Sequence, residues 1–414
     1  MDGARRAAEA AARHAYGKLV AMLAARNGDI AGAEDALAEA FASALAFWPA
    51  RGVPKNPDAW LLTAARRNLG HARGRAVTAD ANKATVMLLD EERAENGALP
   101  FGDDRLRLMF VCTHPAIAAE VQAPLMLQAV LGLDAARIAA SFLVSPAAMG
   151  QKLVRAKAKI RDARIAFALP EPETLATLIG PVLSAIYAAY GTGWEDVLGA
   201  DAKRKGLTEE AIWLGRLAAE LLPDDPEAMG LLALMLHCEA RRRARRDADG
   251  AFVALADQNP QLWSRTMLAE AEALLRAAAR HTMPGRFQTE AAIQSLHVQA
   301  VMSGEDLRAP LMRLYDLLVA IVPSTGAMVA RAVAYVEAGQ GPAALAQLDA
   351  VAGCETYQPW WAARARVLWS LGDGDAARAA AIRAAGLSDD SAVRAFLLNG
   401  GAFRTSVSSA SRRP

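Results

Sequence analysis

Residues 59–75, AWLLTAARRNLGHARGR, place Arg66, Arg67, Arg73 and Arg75 within ten positions that hold no acid. On a helix Arg67 and His71 stand at i, i+4 and share a face, as do Arg66 and Arg73 at i, i+7. Such a face attracts phosphates, and an aromatic such as Trp60 nearby could stack a base. A solvated basic face is an equally simple use of the same residues. A second pattern lies in residues 132–161, GLDAARIAASFLVSPAAMGQKLVRAKAKIR. Asp134 suits the N-cap of a short helix ending near Phe142, and Val144-Ser145 suits a tight turn. Ser145 then caps a longer helix, with Pro146 at its first position, where a missing N–H costs nothing. Met149, Leu153, Ala156 and Ile160 form the apolar stripe of that helix, while Lys152, Arg155 and Lys159 occupy another face. This is a helix-turn-helix pattern. In that geometry the start of the second helix enters the DNA major groove. Ser145, Ala147, Ala148 and Gln151 are then candidates for base edges. Lys152, Arg155 and Lys157 are candidates for phosphates, which position the protein without reading sequence. An ordinary helical hairpin with a basic solvated face fits the same spacing.

The elements that carry these residues read as helices. The chain has 414 residues, 53% hydrophobic and 6% aromatic. Alanine dominates and β-branched residues are sparse, which favours helix over strand. Residues 32–48 carry Leu37, Phe41, Leu45 and Trp48 as one expected apolar stripe. Asp29, Glu34, Asp35 and Glu39 supply acid near the start of that helix, and Pro49 is expected to end it. Asp58 is the expected N-cap of the next helix, Ala59–Arg75. Residues 76–104 turn acidic and read as a linker with one short helix through Val86–Ala94. Helices are expected to resume at Asp104 and run to Phe167, and ALPEPE, residues 168–173, marks a second boundary. From there to Leu398 helix follows helix. A shift of 33 residues brings Arg331 onto Arg364, Ala332 onto Ala365, Gly339 onto Gly372, Gly341 onto Gly374, Ala344 onto Ala377 and Gly353 onto Gly386. A helix-turn-helix unit at that period is the tetratricopeptide (TPR) pattern.

Charge and cysteine usage narrow the function classes. Lys+Arg 46 against Asp+Glu 45 gives a formal net charge of +1, which excludes a generally basic nucleic-acid coat but not local patches. Cys112, Cys238 and Cys354 are odd in number and far apart, so neither a disulfide framework nor Cys-based zinc spacing is present. No apolar run approaches the roughly 18 residues that span a bilayer. The N-terminal residues lack a signal-peptide core. A soluble, cytoplasmic protein without a membrane partner is the expectation. Cys112 and His114 lack further metal ligands and are expected to pack, as is His237-Cys238. Arg241, Arg242, Arg243, Arg245 and Arg246 read as a solvated helix end rather than a nucleic-acid patch, and Trp360-Trp361 reads as packing. GTGWED, residues 191–196, lacks the Lys-Ser/Thr of a phosphate loop, and Gly-x-Ser-x-Gly is absent. No catalytic constellation, metal site or cofactor site emerges.

Two DNA-contacting helices joined by an acidic linker form a narrower pattern than either part. With GAEDALAEAFASALAFWPARGVPKNPDAWLLTAARRN, FGDDRLRLMFVCTHPAI, QAVLGLDAARIAASFLVSPAAMGQKLVRAKAKIR, LLPDDPEAMGLLALMLHCEAR and LYDLLVAIVPSTGAMVARAVAYVEAGQGPAALAQLD in order, the chain resembles bacterial extracytoplasmic-function sigma factors. Its likeness is to the subgroup with a TPR-like C-terminal extension. The resemblance implies an all-α protein with sigma region 2 at 1–76, an acidic linker at 77–103 and sigma region 4 at 104–168. A TPR-like array at 169–400 and a disordered tail at 401–414 would follow. It implies that Asp29, Glu34, Asp35 and Glu39 dock on the β′ clamp helices of core RNA polymerase, with Phe41 and Trp48 in the core. It further implies contact with the β flap. Arg66, Arg67, Asn68, His71, Arg73 and Arg75 would meet the −10 element of promoter DNA, and the helix from Ser145 to Arg155 the −35 element. A regulatory protein could engage the repeats. The chain departs from the family pattern at Ala38, where Gln is frequent, and at Cys112-Thr113, where paired cysteines are usual. Gly70 and Gly74 weaken the −10 helix by roughly 1 kcal/mol each, and the recognition helix has Gly150 inside it and few long side chains in its first turn. Two rival readings remain on the residues alone. One is a TPR-type interaction scaffold, the other a conventional helix-turn-helix regulator that binds DNA without polymerase.

Overall fold

A computed structural model describes residues 2–72, 104–142, 144–168, 171–195, 207–281 and 284–403. Among them the fold is all-α, and an isolated bridge between Arg246 and Phe252 is the extent of extended pairing. No helix of the described residues is long and apolar enough to cross a membrane. The chain divides into two compact units, Met1–Pro223 and Asp224–Pro414.

In the first unit α1 (Asp2–His14), α2 (Tyr16–Asn27), α3 (Ile30–Arg51) and α4 (Pro57–Ala72) are followed by α5 (Asp104–Cys112), α6 (Ala119–Leu131), α7 (Ala135–Ser141), α8 (Pro146–Asp162), α9 (Pro172–Glu195) and α10 (Leu207–Leu221). Helix α3 runs through Pro49 and ends at Gly52, whose N–H reaches the carbonyl of Trp48. The expected stop is thus absorbed by one further turn. The buried stripe of α3 also differs from expectation. Leu37, Ala40, Ala44 and Trp48 are buried, while Phe41 is half-buried and Leu45 is 50% exposed. At 3.6 residues per turn, position 44 stays over position 37 and position 45 rotates outward. Alanine at the contact positions lets α4 approach closely. Helix α4 begins at Pro57, and its cap is Asn56, whose Oδ1 accepts from Ala59 N at 3.1 Å. Asp58 sits in the first turn instead.

Leu19, Leu23, Ile30, Leu37, Leu61, Leu106, Met109, Leu125, Ile138, Leu153 and Ile160 share the buried interior. The early helices therefore do not form a separate body. Helix α2 packs on α5 and α6, and α3 packs on α8. Helix α9, beyond the ALPEPE segment, packs on α6 and α5, so the first unit extends to Pro223.

The second unit contains α11 (Pro226–Glu239), α12 (Arg265–Ala278), α13 (Arg286–Ser303), α14 (Arg308–Ile321), α15 (Thr325–Glu337), α16 (Gly341–Asp349), α17 (Gln358–Ser370), α18 (Gly374–Gly386) and α19 (Ser391–Leu398). The 33-residue shift is structural as well as sequential. It carries the start of α15 onto that of α17 and the start of α16 onto that of α18. Gly339 and Gly372, both at left-handed φ of 80° and 86°, turn the chain between paired helices. Ala332, Ala344, Ala365 and Ala377 are all fully buried where the helices meet. The expected tail starts ordered. Gly401–Phe403 form a 3-10 turn, and Phe403 stacks on Trp369 with centroids 4.5 Å apart. The linker 77–103 and residues 404–414 lie outside the described residues.

Candidate nucleic-acid interface

The helix-turn-helix forms as its caps require. Asp134 accepts from Arg137 N at 3.0 Å, starting α7, and Ser145 Oγ accepts from Ala148 N at 3.2 Å, starting α8 with Pro146 in its first turn. Met149, Leu153, Ala156 and Ile160 are buried as expected. Ser145, Ala147, Ala148, Gln151 and Arg155 are exposed, and Lys152 is half-buried. The five exposed residues and Lys152 follow one another along the N-cap and first turns of α8. Lys157 is different. It is 8% exposed, and its ammonium pairs with the carboxylate of Glu34 on α3. Lys157 lies one position from the buried Ala156, so its stem leaves α8 on the core side.

That ion pair belongs to a small buried cluster. Burial pushes the Glu34 carboxyl above its ordinary value, Lys157 opposes the shift, and Asp35 and Asp29 add to it. Burial, then Glu34 and Asp35, raise the Tyr16 phenol. Burial and Glu34 raise the Cys112 thiol against the pull of Lys157. Cys112 is completely buried. Of the four acids singled out at the start of α3, Asp35 and Glu39 are exposed, Asp29, at the N-cap, is half-buried, and Glu34 faces inward.

The basic helix α4 is less open than its composition suggests. Arg67 is exposed and Arg66 half-buried, its guanidinium held below the usual arginine value by burial and by the charge of Arg26. Asn68 donates its amide to the carbonyl of Ala36 at 3.0 Å, tying α4 to α3. Trp60 packs edge-on against Trp48 with centroids 5.5 Å apart, rather than presenting a stacking platform. His71 lies on α4, and Arg73 and Arg75 lie outside the described residues.

The arginines after α11 are not the freely solvated helix end that the sequence suggests. Arg241 is 7% exposed and donates to His237 O at 3.0 Å and to Gln294 Oε1. Arg242 pairs with Glu239, and Arg246 pairs with Asp390. Arg243 is exposed. Around Arg241 lies a polar core that sequence reasoning did not find. His237 is fully buried, with Nε2 3.5 Å from Glu272 Oε1, and Ser295 donates to the same carboxylate. Burial, then the charge of Arg241, lower the His237 and His297 imidazoles to about 4. The signal was present as polar residues at core positions of apolar helices, yet their partners lie as many as 53 residues away. Among the described residues no group of three His, Cys, Asp or Glu could hold a metal ion. Trp360 and Trp361 pack as expected, donating their indole N–H groups to the carbonyls of Leu348 and Glu355, both at 3.1 Å.

A family model described as "Family of unknown function (DUF6596)" matches residues 179–279, which include His237, Arg241 and Glu272. An uncharacterized protein of Rhizobium meliloti (strain 1021) is 38% identical over 382 residues, covering 90% of this chain and 89% of that protein. No solved structure matches the chain.

Proposed function

The chain belongs to the same family as the Rhizobium meliloti protein, to which it is similar over 90% of its length, and we propose that it is a sigma factor of the extracytoplasmic-function type. It binds core RNA polymerase and directs it to a small set of promoters. The observation that carries this reading is the capped helix-turn-helix of α7 and α8. Its exposed Ser145, Ala147, Ala148, Gln151 and Arg155 share one unit with an acidic helix that exposes Asp35 and Glu39.

The mechanism is binding and strand opening rather than covalent chemistry. The start of α8 lies in the major groove of the −35 element. There Gln151 reaches base edges, while Lys152 and Arg155 hold phosphates. The short side chains of Ala147 and Ala148 let the helix sit deep but supply few hydrogen bonds, so shape contributes to specificity. Arg66 and Arg67, with His71, Arg73 and Arg75, face the melted −10 strand. Asp35 and Glu39 dock on the β′ clamp helices. The helix pairs of the second unit serve a regulatory protein partner. All of this takes place in the cytoplasm.

Run-off transcription with purified core polymerase on a library of upstream DNA tests the proposal. Discrete new start sites sharing a two-part spaced element are expected. Changing Arg66, Arg67 and Arg73 together to Ala should abolish them. Association with core polymerase that ignores the acids of α3 would favour an interaction scaffold. A footprint on DNA without polymerase would favour a conventional regulator.

A further inference from the structure

Among the described residues Arg241, directly after α11, is a buried cation with no acid in contact. It is 7% exposed. Its Nε donates to His237 O at 3.0 Å, closing the end of α11, and its Nη2 donates to Gln294 Oε1 of α13. Nη2 also lies 3.8 Å from the sulfur of Cys238, a thiol that burial pushes above its ordinary value and so keeps neutral. Nη1 has no hydrogen-bond partner among the described residues. The acids of the surrounding helices are engaged elsewhere. Glu239 pairs with Arg242, and Glu290 with Arg286. Glu227 accepts from Phe287 N and Gln288 N, and Glu272 accepts from Ser295. The carbonyls at the end of α11 together offer only about half an elementary negative charge. A guanidinium taken out of water to this depth is costly to leave unpaired.

The groups beside Arg241 are neutral and carry spare donors. Burial, then the charge of Arg241, hold His237 and His297 uncharged at neutral pH. A neutral imidazole keeps one N–H, and Nδ1 of His237 has no hydrogen-bond partner among the described residues. Gln294 and His297, one turn apart on α13, are half-buried, so the cluster meets solvent on that side of the helix. Arg241 itself shows too little surface for a broad contact. A group of a few atoms is what can reach it.

We infer that the free edge of Arg241 is a binding site for one carboxylate group, carried by a free small acid or by an acidic side chain, which enters beside Gln294 and His297. One positive charge without an offsetting acid calls for a single negative charge, and a guanidinium edge matches the carboxylate in both charge and shape. A phosphate near its second ionisation would bring more charge than the cluster balances. The site lies ahead of the α15–α18 repeat and uses none of its residues. It does not depend on the sigma reading, and its failure would leave that reading untouched.

The test uses the full chain at pH 7.5, with acetate as the probe and sodium chloride at equal ionic strength as the reference. Binding is read by saturation transfer from the protein to the acetate methyl protons, and stability by the thermal midpoint. Saturable transfer is expected in the wild type, with the midpoint raised by about 4 °C at ten times the Kd. Gln294→Glu keeps the size of the side chain and puts a carboxylate where Gln294 Oε1 already meets Nη2, so the site is filled from within. Acetate affinity should then fall at least tenfold. Arg241→Gln removes the charge and should abolish binding; if that variant does not fold, Gln294→Glu still decides. Absence of saturable transfer in the wild type overturns the inference. So does unchanged acetate affinity in either folded variant, which would put the acetate elsewhere. Inorganic phosphate bound more tightly than acetate overturns the charge count and the carboxylate assignment with it. A capped tripeptide with a central glutamate separates the two sources of the group. Affinity at least tenfold above that of acetate assigns the site to an acidic side chain of a protein, and equal or weaker affinity assigns it to a free small acid.

Discussion

His237 is completely enclosed, and its ring nitrogens make no hydrogen bond among the described residues. Its imidazole, like that of His297, is held near 4 by burial and by the charge of Arg241. An ordinary histidine in the unfolded chain titrates near 6.5. The unfolded chain therefore binds more protons between pH 6.5 and 4, and stability is fully present above 6.5 and falls as pH drops through that window. Each imidazole contributes up to about 3 kcal/mol to the fall. Denaturant midpoints at pH 7.5 and pH 5 should differ markedly in the wild type and less in His237→Leu. Because the imidazole leaves no satisfied bond behind, His237→Leu should cost under about 1 kcal/mol at pH 7.5. Equal pH dependence in the two proteins would remove His237 from this account. Lys157 is the opposite case. Lys157→Ala leaves the buried Glu34 carboxylate without its cation and should destabilise the fold by about 3 kcal/mol, measured by the same denaturation.

At the scale of elements, caps and close approaches set the energies. Ser145 satisfies a backbone donor at the start of α8, so Ser145→Ala should cost about 1 kcal/mol of stability. If Ser145 also lies at DNA, promoter affinity should fall by more than this loss of fold explains. Gly230 lies where α11 crosses α13, and a Cβ there would stand 2.4 Å from the backbone nitrogen of Gln288. Gly230→Ala should destabilise the second unit by about 1–3 kcal/mol despite its better helix propensity. A neutral or raised unfolding midpoint would mean that α13 moves aside. The same crossing is held by Glu227, whose carboxylate accepts from Phe287 N and Gln288 N, both at 3.0 Å, and caps α13 from another helix. Helix starts were legible in the sequence where the cap is local, as at Asp134 and Ser145. They were not legible where it comes from 60 residues away, as Glu227 does.

For the whole molecule, the position of the boundary between units is the practical matter. Ile179, Val182, Leu183 and Ile186 of α9 are buried at 4% exposure or less, and α9 packs on α5 and α6. A chain cut at 168 loses that apolar cover, whereas one cut at 223 keeps it. Residues 1–223 should be recovered as folded, helical protein with a melting temperature at least about 5 °C above that of residues 1–168. Equal melting would show α9 to be dispensable. In the second unit the turn at 242–252 is tied to the last helix by Arg246 on Asp390 and by Phe252 against Phe396, centroids 5.1 Å apart. The repeats are therefore joined at long range as well as neighbour to neighbour.

Helix content, the turn before α8, its buried stripe and the 33-residue repeat could all be read along the chain. Each depends on residues within a turn or two of one another, or on a pattern that recurs, and such interactions are written in spacing. Lys157 was read as a phosphate contact and Trp60 as a stacking surface, because spacing assigns a side chain to a face but not to a partner. Which face becomes interior depends on helices that arrive from elsewhere. Glu34 and Lys157 are 123 positions apart, and the pairing of α3 with α8 follows from packing α2 on α6. Burial, and with it the charge state and availability of each candidate residue, is a property of that packing.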